Sequence, residues 1–316
     1  MKSYSGVVLN GGLGNQLFQL AAGLSFFEEE FYLNTSIGNP RKNSRNEIDI
    51  SELKLPSRVE IEPEDILAPV IKKFFNYSLR SGISKIRYSF FGVTPKLIIL
   101  VNRTYLLLKY RRLIDLQVAT DVGFCNFSNK TRNNELYLGY FQSSEWFDNS
   151  QTNFELHSIC PKGQHPLLQQ LERDSKREVP LIVHVRLGDY KGESMIGIPS
   201  SRYYSEAINK LWGSGAYKKI WLFSDELDHA EEFIPNYLRT YLRKISEVDY
   251  SSAVTLEAMK LGHGYVIGNS TFSWWGAYLS RKSDAQVIAP TPWFVGMEEP
   301  SRIIPQHWLR VEANFL

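Results

Sequence analysis

The chain has 316 residues, with 36 Lys and Arg against 34 Asp and Glu and a net charge of +2 at neutral pH. That length suits two domains with ample core, and the even charge balance gives no overall sign of a nucleic-acid partner. Two cysteines, Cys125 and Cys160, show no CxxC spacing and cannot build a disulfide framework, which points to a reducing compartment.

The opening MKSYSGVVLNGG has no apolar signal core, and no stretch reaches the ~18 apolar residues of a membrane span, so the expected location is the cytoplasm. Gly6 to Leu9 reads as a strand and Asn10 to Gly14 as a glycine-rich turn. Asn15 is the expected N-cap of a helix running to about Glu30, with Leu17, Leu20, Ala21 and Leu24 on its buried face. Strand, glycine turn and helix form a Rossmann-type opening, in which backbone approaches a ligand at a helix N-terminus. The spacing is not GxGxxG and no Walker lysine follows, so a purely structural turn is the competing reading.

Residues 35 to 60 read as a polar, irregular loop. From Ile66 to Ile114 there is no Asp or Glu, while Lys and Arg recur among Phe, Tyr, Ile and Leu. This reads as a helical, basic, amphipathic insertion at about 62–120. It is either a solvated face with snorkelling lysines or a surface that approaches an anionic membrane or a lipid-linked substrate, which would make the protein peripheral on the inner face of the membrane. Asn134 to Phe141 alternates and reads as the last strand of the first half, followed by a turn over Gln142 to Phe147 into a helix. Pro161, Gly163, Pro166, the helical LLQQLERDSKRE and Pro180 mark a junction near residues 160 to 178. The expected domains are 1–170 and 171–316.

The second half alternates strand and helix. Strands are expected at Leu181–Val185, Lys219–Ser224, Tyr265–Gly268 and Gln286–Ala289, with helices at Ser200–Trp212 and about Phe272–Arg281. Such alternation predicts an α/β fold with a doubly wound parallel sheet. In open α/β sheets ligands sit at the carboxyl ends of strands, and three such ends carry polar chemistry here. The first delivers His184, Arg186 and Asp189. His184 and Arg186 are two apart and share a face, and a guanidinium fork suits phosphate. A structural Arg–Asp ion pair fits the same residues. The second, Asn269-Ser270-Thr271-Phe272-Ser273-Trp274-Trp275-Gly276-Ala277, puts hydroxyls and free N–H groups at a strand-to-helix switch that favours an anion. The third, Asp225-Glu226, could meet a ribose, guanine or sugar hydroxyl, could hold Mg²⁺, or could cap the next helix. Arg186 can supply the positive charge on a pyrophosphate without a metal. Together these ends make a diphosphate cradle, and with the glycine turn of the first half they give the layout of a nucleotide-sugar transferase with two Rossmann-like domains.

Gly11-Gly12-Leu13-Gly14-Asn15-Gln16-Leu17-Phe18-Gln19, Val183 to Tyr190 (VHVRLGDY), Leu222 to Glu226 (LFSDE), Asn269 to Ala277 and the late Pro290-Thr291-Pro292-Trp293-Phe294 resemble the α-1,2-fucosyltransferase family of inverting glycosyltransferases. The motifs span nearly the whole chain in order. The resemblance implies a GT-B fold with two Rossmann-like domains facing a cleft, a GDP-β-L-fucose donor, no cofactor or metal, and inverting transfer to the 2-hydroxyl of a sugar such as galactose in an oligosaccharide or lipid-linked glycan. It gives Arg186 the pyrophosphate and the leaving GDP. His184, Asp225, Asn269, Ser270, Thr271, Phe272 and Ser273 are placed with the donor, and Gly12, Gly14, Asn15, Gln16 and Tyr190 on the acceptor side. Asp189 and Glu193 are the carboxylates nearest in sequence for a base, and Asp225 is a third choice. Many relatives carry a second arginine after H-x-R where this chain has Leu187. A GDP-linked deoxysugar such as colitose is an alternative donor, and a non-catalytic nucleotide-sugar or glycan-binding module an alternative class. A dehydrogenase would need GxGxxG and its acidic ribose partner, which are missing.

Overall fold

In the computed structural model, residues 5–38, 49–62, 115–119, 122–124, 127 and 135–316 are described. The chain divides into two compact units, Met1–Ser51 with Leu55–Ser158, and Glu52–Lys54 with Ile159–Leu316. The division falls before the expected 170/171 because the helix 166–178 is tied to the second unit. Asp174 and Glu178 both pair with Arg243, and Glu178 also accepts from Trp221 Nε1.

The first unit opens with β1 (Gly6–Asn10), buried along its whole length, and α1 (Leu13–Phe26). Next come β2 (Phe31–Gly38), β3 (Leu53–Lys54, which belongs with the second unit), β4 (Val59–Glu62), β5 (Asp115–Val118) and β6 (Glu135–Leu138). The sheet order is β4-β2-β1-β6-β5, with every pairing parallel. The unit closes with α2 (Ser150–His157), capped by Asn149, whose Oδ1 accepts from Thr152 N.

Three expectations are corrected in this unit. The N-cap of α1 is Gly12, not Asn15, and the helix stops at Phe26, where the Phe27 N–H bonds to Gly23, rather than at Glu30. The stretch 35–60 is not all loop, since β2 runs into it and β4 pairs with β2. The last strand expected over Asn134 to Phe141 forms as β6. All four residues of β6 are buried, because it lies between β1 and β5. The basic stretch at 66–114 and its membrane reading lie outside the described residues, and β5 shows that the window 62–120 is not helical throughout.

The second unit contains β7 (Cys160–Pro161), paired antiparallel with β3, then α3 (Pro166–Glu178), β8 (Pro180–Val185), α4 (Ser201–Trp212), β9 (Lys219–Ser224) and β10 (Leu242–Ser246). It continues with α5 (Ser252–Met259), β11 (Gly264–Val266), α6 (Thr271–Tyr278), β12 (Gln286–Thr291) and β13 (Leu309–Glu312). The six-stranded parallel sheet has the order β10-β9-β8-β11-β12-β13. Counted from β8, that is 3-2-1-4-5-6, the dinucleotide-binding order whose direction reverses between its first and fourth strands. β8 is buried along its whole length, and Leu181, Val183 and Val185 join Tyr203, Tyr204, Ala207, Ile208 and Leu211 of α4 in one core. β11 and α6 are shorter than the expected 265–268 and 272–281, while β12 runs on to Thr291.

Two units, each an open parallel sheet with helices, are the pair of Rossmann-like folds that define the GT-B type. No described helix is long and apolar enough to cross a membrane.

Candidate active site

The strand order of the second unit brings the ends of β8 and β11 side by side. From β8 emerges His184-Val185-Arg186, and from β11 the sequence Asn269-Ser270 that starts α6. Contacts join the two. Tyr190 Oη donates to the Asn269 carbonyl at 3.4 Å, and the His184 and Phe272 ring centroids lie 6.3 Å apart.

The period-two argument for His184 and Arg186 is met by their shared partner. Glu247, just past β10, places Oε1 2.7 Å from His184 Nε2 and Oε2 3.2 Å from Arg186 Nη1. The His184 contact is close but does not form a hydrogen bond, and Nδ1 of the same fully buried ring has no partner among the described residues. Arg186 Nε donates to Asp189 Oδ1 at 2.8 Å and lies 3.3 Å from Asp225 Oδ2. Three carboxylates therefore surround one guanidinium, and no described residue accepts from Nη2. Burial alone would lower the Arg186 pKa, but Glu247, Asp189 and Asp225 outweigh it and raise the pKa, so the group stays charged. Burial would likewise push the Glu247 carboxyl up, yet the His184 and Arg186 charges hold it below the usual carboxylate range.

Asp225 has a second duty. Its Oδ1 accepts from Leu187 N at 3.1 Å and its Oδ2 from Gly188 N at 3.0 Å, which fixes the turn after β8. It caps that turn rather than the helical turn starting at Leu227, where Glu226 holds the N-cap position without a side-chain bond. Leu187, where many relatives carry arginine, is buried in the core. Glu193 is exposed on the turn beyond Tyr190, with its N–H on the Tyr190 carbonyl.

At the start of α6, Ser270 Oγ accepts from Phe272 N at 3.3 Å, so its own proton remains available to an acceptor. Ser273 is different, because its hydroxyl donates back to the Ser270 carbonyl at 3.1 Å. Thr271 and Phe272 are partly exposed at the helix start. Asn269 is buried and donates to the carbonyls of Ile196 and Gly197, which holds the loop beyond Tyr190. The tryptophan pair is core. Trp274 Nε1 donates to the Ile303 carbonyl at 2.6 Å, its ring stacks on Tyr278, and both indoles are fully buried.

In the first unit the glycine turn follows β1. Gly11 takes φ +77°, a conformation that suits glycine, and a Cβ at Gly12 would meet no heavy atom within 4 Å. Gly14 is buried in the first turn of α1. Asn15 Oδ1 accepts from Gln142 Nε2 at 3.0 Å. Gln16 donates to the Gly11 carbonyl and accepts from Ile50 N, and Gln19 bridges Asn10 to Gly139 across β1 and β6. The glutamines of this motif thus tie loops together.

Glu247 is the residue that sequence reading misses. It follows a strand whose charged face disguised it, and the only signal was a carboxylate one residue past the end of LRKIS.

A family model described as glycosyl transferase family 11 matches residues 117–309. The chain is 25% identical over 326 residues to the O-antigen biosynthesis glycosyltransferase WbnK of Escherichia coli, covering 96% of this chain and 99% of that one. It is also 25% identical over 313 residues to an alpha-1,2-colitosyltransferase of Escherichia coli, covering 96% and 97%. Among solved structures, the fucosyltransferase NodZ from Bradyrhizobium overlays with a TM-score of 0.45 at 13% identity, over 87% of this chain and 93% of that one. The family match takes in the H-x-R strand, the Asp225 turn and the start of α6, and the chain belongs to glycosyl transferase family 11.

Proposed function

We propose that the protein moves L-fucose from GDP-β-L-fucose to the 2-hydroxyl of an acceptor sugar, a β-galactoside, with inversion at the anomeric carbon. The observation that carries this reading is Arg186, held at the sheet's reversal point by three carboxylates, with no described residue accepting from Nη2, on the turn whose Tyr190 reaches the Asn269 carbonyl ahead of α6. Breaking the anomeric C–O bond develops negative charge on the β-phosphate and positive charge on the sugar ring. A fixed guanidinium and a helix N-terminus stabilise that leaving group, an electrostatic term worth several kcal/mol. No metal is required by this scheme, because the cation on the diphosphate is Arg186. Ser270 adds a hydroxyl donor at the same place.

The relative named as an O-antigen glycosyltransferase supports a role in bacterial surface-polysaccharide synthesis. With that role we infer a position at the cytoplasmic face of the membrane, where the lysines and arginines in the sequence of 66–114 would be attracted by anionic lipid. A GDP-linked 3-deoxysugar is the second reading, favoured by the relative named as an alpha-1,2-colitosyltransferase.

The deciding assay mixes the protein with galactoside acceptors and either GDP-fucose or GDP-colitose, with chelator present, and assigns the product linkage by NMR. GDP release with an α-1,2-fucosyl product is expected, and Arg186→Ala should lower kcat at least ~100-fold with the fold retained. A folded Arg186→Ala enzyme with normal turnover would remove this residue from the mechanism. Turnover of GDP-colitose alone would replace the donor, and no GDP release from any pair would favour a binding module.

A further inference from the structure

We propose that Glu247 is a positioning residue of the donor site, its one buried carboxylate setting the orientation of both His184 and Arg186. This rests on the donor-site reading above. The two carboxylate oxygens are divided between the two side chains, Oε1 at 2.7 Å from His184 Nε2 and Oε2 at 3.2 Å from Arg186 Nη1. The other carboxylates near Arg186 are used differently. Asp225 spends both oxygens on the N–H groups of Leu187 and Gly188, and Asp189 sits on the same turn as the arginine it meets. Glu247 arrives from a separate strand and ties the guanidinium to the imidazole.

Local chain geometry supports a built role. The side chain of Glu247 is 8% exposed, whereas the next residue, Val248, is 75% exposed and Asp249 is also exposed. The Glu247 N–H is anchored on the Ser224 carbonyl, which fixes where the carboxylate enters. Burying a carboxylate is unfavourable unless it is paired, and an apolar residue would fill such a place at lower cost. Contacts at Nε and Nη1 together fix the guanidinium plane, and no described residue accepts from Nη2. Loss of the Nη1 contact would free that plane to rotate about the Nε–Asp189 bond.

The chemistry requires a carboxylate of this length. Glutamine has one acceptor oxygen and one donor amide and no charge, so it can accept at only one of the two contacts and opposes the guanidinium if its amide faces Nη1. Aspartate keeps the charge but is shorter by one C–C bond, about 1.5 Å, and reaches the pair incompletely.

The test compares Glu247→Gln, Glu247→Asp and Arg186→Ala by GDP calorimetry and by steady-state kinetics with GDP-fucose and a galactoside, with thermal midpoints recorded for each. Glu247→Gln is expected to lose on the order of 100-fold in kcat/KM for the donor, the scale of a misplacement near 1 Å. The acceptor KM should stay unchanged, and Glu247→Asp should recover part of the loss. Wild-type kinetics in folded Glu247→Gln and Glu247→Asp would overturn the proposal. So would equal losses in both variants that follow the drop in thermal midpoint and affect donor and acceptor alike. Should Glu247→Gln not fold, Glu247→Asp alone decides, a selective donor defect supporting the proposal and wild-type values overturning it. Undiminished GDP binding by Arg186→Ala would instead sink the donor-site reading itself, a result separate from either outcome at Glu247.

Discussion

Gly188 shows how closely one atom governs the turn that follows the H-x-R strand. A Cβ built there would lie 2.5 Å from Asp225 Oδ2, the oxygen that accepts the Gly188 N–H. Glycine is therefore needed for close approach, although its φ is ordinary. Gly188→Ala must push the carboxylate or the turn aside, and both carry Arg186. Overpacking of this kind costs about 1–3 kcal/mol, so a lower urea midpoint is expected, together with a fall in donor kcat/KM larger than the fall in stability would explain. A variant with unchanged kinetics would show that the Asp225 bonds to the turn are expendable.

At the scale of elements, what the sequence revealed depended on where each strand lies in its sheet. β8 and β9 are interior, buried on both faces, and read directly as apolar runs with polar ends. The edge strands did not. In LRKIS only Ile245 is buried, and in LRVE only Val311, so β10 and β13 look like surface chain and went unread. The site was legible to the same degree. His184 and Arg186 could be placed on one face from spacing alone, but their shared carboxylate lies beyond the edge strand that escaped notice. The Ser270 N-cap was readable as a switch, whereas the use of the Ser273 hydroxyl within its own helix turn was not, because it depends on a rotamer. Helix packing gives a test at this scale. A Cβ on Gly276 of α6 would come within 2.9 Å of Met259 Cβ and Sδ on α5. Gly276→Ala is expected to lower the thermal midpoint modestly because the Met259 side chain can give, and Gly276→Val to lower it more, by about 1–3 kcal/mol in stability. Equal midpoints for all three proteins would mean that the two helices separate freely.

For the whole molecule, the charge arrangement sets the response to acid. Glu247 has its carboxyl held below the usual range when folded, against burial, by His184 and Arg186, and Asp174 is held low chiefly by its hydrogen bond to Arg243. A depressed folded pKa contributes stability that is full above the unfolded value, ~4.3 for Glu and ~3.9 for Asp, and is lost as pH falls through the folded value. Stability of the wild-type protein should hold from neutral pH to about 5 and fall below about 4. Urea unfolding at a series of pH values should show a shallower acid slope for Glu247→Gln, which removes one of these titrations. Identical slopes would mean that the buried carboxylate keeps its contacts in the unfolded chain.

The loop beyond Tyr190 has one further property. Ser200 donates through both its N–H and its hydroxyl to the Ala313 carbonyl, Leu316 N donates to the Ile198 carbonyl, and Phe315 packs where a Cβ on Gly197 would stand. These partners are more than a hundred positions later in the chain. Asn269 holds Ile196 and Gly197 from an earlier point in the chain. Ile198 and Ser200, however, gain these partners only once the stretch after β13 has been made. During synthesis this corner is therefore completed late, by residues far beyond it in sequence.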